Sequence, residues 1–499
     1  MTKNFFQNPK TMAIVAIVLL AILCYFPIFL HLTSLPIRLW DEGHVVLTSY
    51  QMSHNRSWLV VMYDNKPDLW YLKPPFWIWI QAIFIRLFGL SELSVRLPAA
   101  LAALFTCAIV FVFCWRFLKR IQLGFISVLV LVTSGGYIAE HVTRTGDYDS
   151  LLTFLTTVYL FCYFIYVESN DGAQKKFLLF FFIALTLAVL TKGVQGLLFT
   201  PALPIYIIAR KKLIITLKEK NFYIGFLFFL IFGIGYYFLR EALNPGYVQA
   251  VWNSEVAGRF NTVIDEHVGP FSYYWDLMIN RHYTYWYLFL PCGILIGVAQ
   301  TDRRLRNFAW FLILCAGVYL IVVSSAKTKL EWYDGPLFPL LAVIVGIFLS
   351  WLYDLIRTQE VFKLGLKNSV AAFVPMFLIF IHPYSQTVKD NYYTSEPSWT
   401  AWYFEIPSYL KQTIKDHVNI DGYKIIYSQW QQSILFYVKM LGEQGQKVSF
   451  TGVEQLQTGD HVIVEEENFI NGIKEKFNVQ LVSTYDNDVK IFQIISPKQ

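Results

Sequence analysis

Residues 39–75 read LWDEGHVVLTSYQMSHNRSWLVVMYDNKPDLWYLKPP and follow directly on the first long apolar run, 12–30. They hold an acidic pair, Asp41-Glu42, near one end and Lys73-Pro74-Pro75 at the other. Charges placed between membrane spans are expensive unless they face water or a partner, so they read as functional. The stretch is expected to be half of an active site at a membrane surface, the other half coming from later loops.

The membrane reading comes from what surrounds it. Of 499 residues, 56% are hydrophobic and 15% charged, against about 25% charged in a soluble globular chain. Apolar runs at 12–30, 97–117, 124–139, 151–167, 177–190, 197–209, 222–239, 283–298, 308–323, 336–352 and 369–381 give about eleven candidate spans; the fifth, sixth and last are clearly shorter than the roughly 17–25 residues a span wants. The net charge of +6 does not point to nucleic acid, because the basic residues sit in short clusters between apolar runs. All six cysteines lie inside apolar runs without metal-ligand spacing and read as small core residues.

Those clusters are Arg116, Lys119 and Arg120; Lys175-Lys176; Arg210-Lys211-Lys212 with Lys218 and Lys220; Arg303, Arg304 and Arg306; and Arg357, Lys363 and Lys367. They fall on one side in alternate loops, the side of the N-terminus with Lys3 and Lys10. The positive-inside rule makes that side cytoplasmic. The Trp-rich run 76–88 suits the headgroup region as an interfacial helix; as a span it would put every later cluster outside. From 383 the composition becomes ordinary. Strand-like runs at 424–427, 433–437, 447–450, 461–465, 479–485 and 489–495, with helical stretches at 406–413 and 453–457, suggest a small α/β domain. The expected architecture is a polytopic α-helical membrane domain, 1–382, whose first outer loop is 31–96, and a soluble periplasmic α/β domain, 383–499.

The outward loops then hold Asp41-Glu42, Lys73, Arg144 with Asp147 and Asp149, Lys192, Arg259, His267, Lys327 and Lys329. Carboxylates can take a proton from an acceptor hydroxyl, as a general base does. Cations can hold phosphate oxygens as a leaving group departs. Both sets on one face suit transfer of a group from a lipid phosphate. The bland readings are solvated loop carboxylates, a local ion pair of Arg144 worth little, and a Lys192 that snorkels to headgroups. Glu266-His267 lacks the second histidine of a metalloprotease motif, and no Gly-rich nucleotide loop is present.

WDEGH at 40–44, YLKPPFWIW at 71–79, LFGLSELSVRLPAAL at 87–101, RTGDYDSLLTFL at 144–155, LTKGVQGLL at 190–198, EVAGRF at 255–260, EHVGPFSYYW at 266–275 and KTKLEWYDGPLFPLLA at 327–342 stand in order along the first 350 or so residues. In this series the chain resembles the GT-C glycosyltransferases, in the branch of the lipid A aminoarabinose transferase and the protein O-mannosyltransferases. The resemblance implies a bacterial inner-membrane enzyme whose donor is a sugar on a polyprenyl phosphate such as undecaprenyl phosphate. The acceptor would be a glycolipid, glycan or protein. It implies Asp41 as general base, Asp149 as second acidic residue, and Lys73 on the lipid phosphate, with Lys192, Lys327 and Lys329 as further phosphate candidates. Glu42, Arg144, Asp147, Arg259 and His267 complete the expected substrate-binding set. Two positions depart from the family pattern: Leu72 stands where an acidic residue often precedes Lys-Pro-Pro, and His44-Val45 where Arg-Tyr often follows the acidic pair. No cofactor is required by the residues; a divalent metal stays open. The rivals are a transporter or flippase of lipid-linked sugars, which wants ionisable groups at mid-membrane depth, and a noncatalytic envelope assembly protein.

Overall fold

The structure, a computed structural model, describes residues 9–55, 57–169, 172–263, 267–358, 368–396, 400–428, 431–486 and 488–498. Lys3, Glu266, Lys363 and Lys367 lie outside the described residues. Eight described helices are long and apolar enough to cross a membrane: Lys10–Phe29, Glu92–Phe117, Asp149–Glu168, Lys176–Leu197, Lys220–Leu243, Arg303–Ser325, Glu331–Thr358 and Ala371–Tyr392. They coincide with eight of the expected spans. The other three, 124–139, 197–209 and 283–298, contain only the shorter helices Ile121–Val132, Ala202–Ala209 and Phe289–Val298. The first is cut short before Gly135-Gly136, where the Gly136 N–H leaves the helix ladder for the His282 carbonyl at 2.9 Å. The run 76–88 is a 13-residue helix, Phe76–Phe88.

The chain divides into two compact units. The first comprises Met1–Leu30, Ser57–Ile80 and Leu97–Tyr392. Its central helix is Phe338–Thr358, which packs on Ile121–Val132, Phe289–Val298 and Asn368–Tyr392. The span Glu331–Thr358 is 83% buried over its apolar window, against 17% for Lys220–Leu243. The latter is therefore a peripheral, lipid-facing helix. Close approach at the centre needs glycine: a Cβ on Gly346 would stand 2.3 Å from the Ser127 hydroxyl, and one on Gly293 2.3 Å from the Ile344 carbonyl. Small residues at such contacts let membrane helices pack without a hydrophobic driving force. Asp302 starts Arg303–Ser325 by accepting from the Arg304 N–H at 2.9 Å, a side-chain N-cap.

The second unit comprises His31–Arg56, Gln81–Arg96 and Tyr393–Gln499. It begins after Tyr392, where the helix Asn368–Tyr392 ends, because that helix continues through Pro383. It also takes in two segments of the first loop. Ile37, Val46, Ile85 and Val95 share one core with Ile406, Leu410, Ile434, Tyr437 and Ile463.

A small hairpin, β1 (Met62–Tyr63) and β2 (Lys66–Pro67), turns through Asp64-Asn65 at φ 47° and 59°, the doubly positive turn Asn and Asp tolerate. The main sheet has β3 (Lys424–Ile425), β4 (Ser449–Phe450), β5 (His461–Val464), β6 (Phe477–Tyr485) and β7 (Val489–Pro497) in the order β4-β3-β5-β7-β6. β3 runs parallel to β4 and β5, and β7 runs antiparallel to β5 and β6. The run 433–437, expected as a strand, lies in the helix Gln432–Glu443. Four apolar residues after Ser433 do not reveal a period; continuing to Leu441 shows Ile434, Tyr437 and Leu441 buried on one helical face.

Candidate active site

In the first unit the site grows from Asp68. Its carboxylate accepts from the Trp70 and Tyr71 N–H groups at 2.9 and 3.0 Å, folding the chain into a turn that points the next residues inward. Tyr247 donates its hydroxyl to the Leu72 carbonyl at 2.7 Å. The buried Arg240 guanidinium bonds the Asp68 carbonyl at 3.0 Å. Pro74-Pro75 then lead into Phe76–Phe88, as proline suits a helix start. The Trp77 indole N–H donates to the Gly146 carbonyl at 2.9 Å. Lys73 is thereby held with its ammonium 4.2 Å above the Tyr71 ring and 5.3 Å from that of Tyr148; these two rings stack on each other.

Other cations gather with it. Arg259 bonds Glu255 at 3.2 and 3.4 Å, one helical turn away. Burial raises the Glu255 carboxyl, but the charges of Lys73, Arg259 and Lys192 outweigh it and hold it below the usual carboxylate range. Lys192 donates to both Asp149 oxygens at 2.6 Å, with both side chains buried, and its ammonium lies 5.3 Å from the Tyr333 ring. Next to Lys192, Gly193 has φ +59°, and a Cβ there would stand 3.9 Å from Pro74. Lys73, Lys192, Arg259 and Asp149 of the expected set thus come together. Glu255 was not among the candidates. Its i,i+4 spacing from Arg259 inside EVAGRF is the signal that marks it.

Beside them, Asp147 is buried; its Oδ2 accepts from the Thr145 hydroxyl at 2.5 Å and lies 3.2 Å from His141 Nδ1. Its Oδ1 has no hydrogen-bond partner among the described residues. The His141 ring stacks on Trp332 at 3.8 Å. The imidazole of His141 and the carboxylate of Asp147 are side chains of the kind that can ligate a divalent cation. A second pair, His282 and Asp334 at 2.8 Å, is buried nearby in the fold and was also not expected.

Several expected residues are otherwise engaged. The Arg144 guanidinium donates to the Pro27 and Leu30 carbonyls at 3.3 and 2.8 Å, satisfying the end of the first helix, whose last carbonyls lack partners in the helix. Lys329 is buried and donates to the carbonyls of Val323, Ser324 and Ala326, so it caps Arg303–Ser325; burial lowers its ammonium. Lys327 and His267 are exposed, and the His267 carbonyl accepts the Lys329 N–H at 2.9 Å.

In the second unit, Asp41 opens the helix Asp41–Asn55 and is partly buried. Trp40 before it has φ +54°, a conformation costly for a bulky residue and characteristic of functional turns. Glu42, expected at the substrate, is fully buried. It accepts from Arg96 at 2.7 and 2.8 Å and from the Arg38 N–H at 2.8 Å. Arg96 also donates to the Leu32, Leu35 and Pro36 carbonyls. Glu42 therefore anchors the turn that presents Asp41. The two neighbours project about 100° apart on a helix of 3.6 residues per turn, so one can face inward while the other does not.

Residues 72–237 match the family model of dolichyl-phosphate-mannose-protein mannosyltransferase. The chain is 28% identical over 342 residues to an uncharacterized protein of Aquifex aeolicus, covering 65% of this chain and 70% of that one. It is 22% identical over 405 residues to the undecaprenyl phosphate-alpha-4-amino-4-deoxy-L-arabinose arabinosyl transferase 2 of Proteus mirabilis, covering 78% and 69%. Another curated relative is matched over only 59% of its length. Among solved structures, ArnT from Cupriavidus metallidurans bound to undecaprenyl phosphate superposes with a TM-score of 0.69 at 15% identity, over 96% of this chain and 97% of that one. The chain thus resembles curated aminoarabinose transferases in sequence and shares with ArnT the fold of a helical, multi-span membrane protein carrying a small C-terminal sheet domain.

Proposed function

We propose that the chain is an inverting membrane glycosyltransferase. It takes a sugar from a polyprenyl-phosphate donor and passes it to an envelope acceptor, a lipid A-like glycolipid, a glycan or a protein. The observation that carries this is the grouping of Lys73, Arg259 and Lys192 around one carboxylate, with Tyr71 and Tyr148 beside Lys73. Cations in a partly buried site are suited to a phosphate whose charge grows as it leaves. The names of the curated relatives point the same way.

The basic clusters support a cytoplasmic N-terminus and a reaction on the periplasmic face. There an acceptor hydroxyl or amine gives its proton to Asp41 and attacks the anomeric carbon. The bond from that carbon to the phosphate oxygen breaks, and polyprenyl phosphate leaves with the electron pair. Lys73 and Arg259 neutralise it. Alignment of nucleophile and leaving group supplies much of the rate gain. His141 and Asp147 are the residues of the first unit that would hold a divalent cation.

Binding of undecaprenyl phosphate to the purified full chain tests the phosphate site. Loss of a hydrogen bond to a charged group costs about 1.5–3 kcal/mol, so Lys73→Ala is expected to weaken binding about 10- to 150-fold. Unchanged binding would reject the site.

A further inference from the structure

The cation group contains a carboxylate that a phosphate site does not need for binding. Glu255 is partly buried and paired with Arg259. It also lies in the field of Lys73 and Lys192. Tyr237 and Tyr247 are within its electrostatic reach and stack on each other at 6.0 Å. Lys192 is already matched by Asp149.

The two lipids that visit such a site differ in charge. A sugar-bearing polyprenyl phosphate is a phosphodiester with one negative charge. The polyprenyl phosphate left after transfer is a monoester, with a charge of about −1.5 to −2 at neutral pH and a second pKa of about 6. We infer that Glu255, set among these cations, repels the more highly charged product more strongly than the singly charged donor, so that the leaving lipid is released after transfer. This rests on the donor-phosphate reading above and extends it to discrimination between substrate and product. Without Glu255 the same cations would favour the monoester, and the product would occupy the site.

The test compares two probes on the purified full chain: undecaprenyl phosphate and its methyl diester, a stand-in for the charge of the donor. Glu255→Gln is expected to tighten monoester binding about 10-fold and diester binding about 3-fold or less, in keeping with charge pairs at close range. Near pH 5, below the monoester's second pKa of about 6, the extra tightening should disappear. Lys73, Arg259, Lys192, Asp149, Tyr237 and Tyr247 are the same in both proteins, so their own titration cancels. Glu255→Asp keeps the charge and should keep the wild-type ratio. A monoester-to-diester ratio unchanged in Glu255→Gln, or a change that persists near pH 5, overturns the inference. Failure of the donor-phosphate reading looks different: both probes then bind Lys73→Ala as well as wild type.

Discussion

Lys192 places its ammonium 2.6 Å from each oxygen of Asp149, and the two side chains are buried together. Asp149 opens the helix Asp149–Glu168, where a negative charge also meets the positive end of the helix dipole. Its first task is thus to hold Lys192. Removing one partner of a buried pair typically costs about 3–5 kcal/mol. Asp149→Asn should therefore lower thermal stability and donor affinity together. The double variant Asp149→Asn with Lys192→Met should recover much of the lost stability, as read by melting in detergent. A double variant no more stable than Asp149→Asn would show that the pair is not coupled.

Asp41→Asn should nearly abolish transfer with the fold and donor binding retained. A positioned general base contributes roughly 10²–10⁴-fold, and Asn keeps the shape without accepting the acceptor's proton. Single-turnover rates on the purified chain measure this. Near wild-type rates would move the base elsewhere.

Glu42 differs from its neighbour. Its bonds to Arg96 and the Arg38 backbone are internal to the second unit. Glu42→Ala leaves a buried guanidinium uncompensated, and the expected loss is about 3–5 kcal/mol of stability. The melting temperature should fall in the absence of any substrate. A stable Glu42→Ala protein with impaired substrate affinity would restore a binding role.

The C-terminal unit should be sensitive to pH. Burial, then Asp488 and Asp486, raise the Glu405 carboxyl to about 7. Burial, then Glu405, Glu466 and Asp488, raise Glu465 to about 8. Both folded values lie above the ordinary 4.5, so the folded state binds these protons more tightly than the unfolded one. Their contribution is full below about pH 4.5 and is lost as pH rises through about 7 to 8. Melting of this unit should occur at higher temperature at pH 5.5 than at pH 8.5. Each 1 kcal/mol corresponds to about 2–4 °C in a unit of this size. Glu465→Gln should flatten the dependence, and an equally steep profile in that variant would contradict the assignment.

The spans were legible because lipid demands long apolar runs, although two runs that are short in the sequence, 177–190 and 369–381, lie in the long helices Lys176–Leu197 and Ala371–Tyr392. Short segments were less so. The run 433–437 looked like a strand until Leu441 supplied the helical period, and the helix Glu467–Lys476 was not seen because only Ile470 and Ile473 mark its buried face. In the site, Lys73 was legible from its Pro-Pro context. Arg144 and Lys329 were read as substrate contacts, yet both donate to backbone carbonyls, acceptors that no residue type announces. Glu42 was read with Asp41 because adjacency in sequence does not say which side chain meets Arg96.

The central claim is that the chain moves a sugar off a polyprenyl phosphate. Mass spectrometry of lipid-linked sugars and envelope glycans in a strain lacking the gene tests it most directly, with the wild-type chain and Asp41→Asn as complements. The expected result is accumulation of one polyprenyl-phosphate sugar and loss of that sugar from one envelope component, both reversed by the wild-type chain and by neither the empty vector nor Asp41→Asn. Unchanged lipid-linked sugars and glycans in the deletion strain, or full restoration by Asp41→Asn, would contradict it.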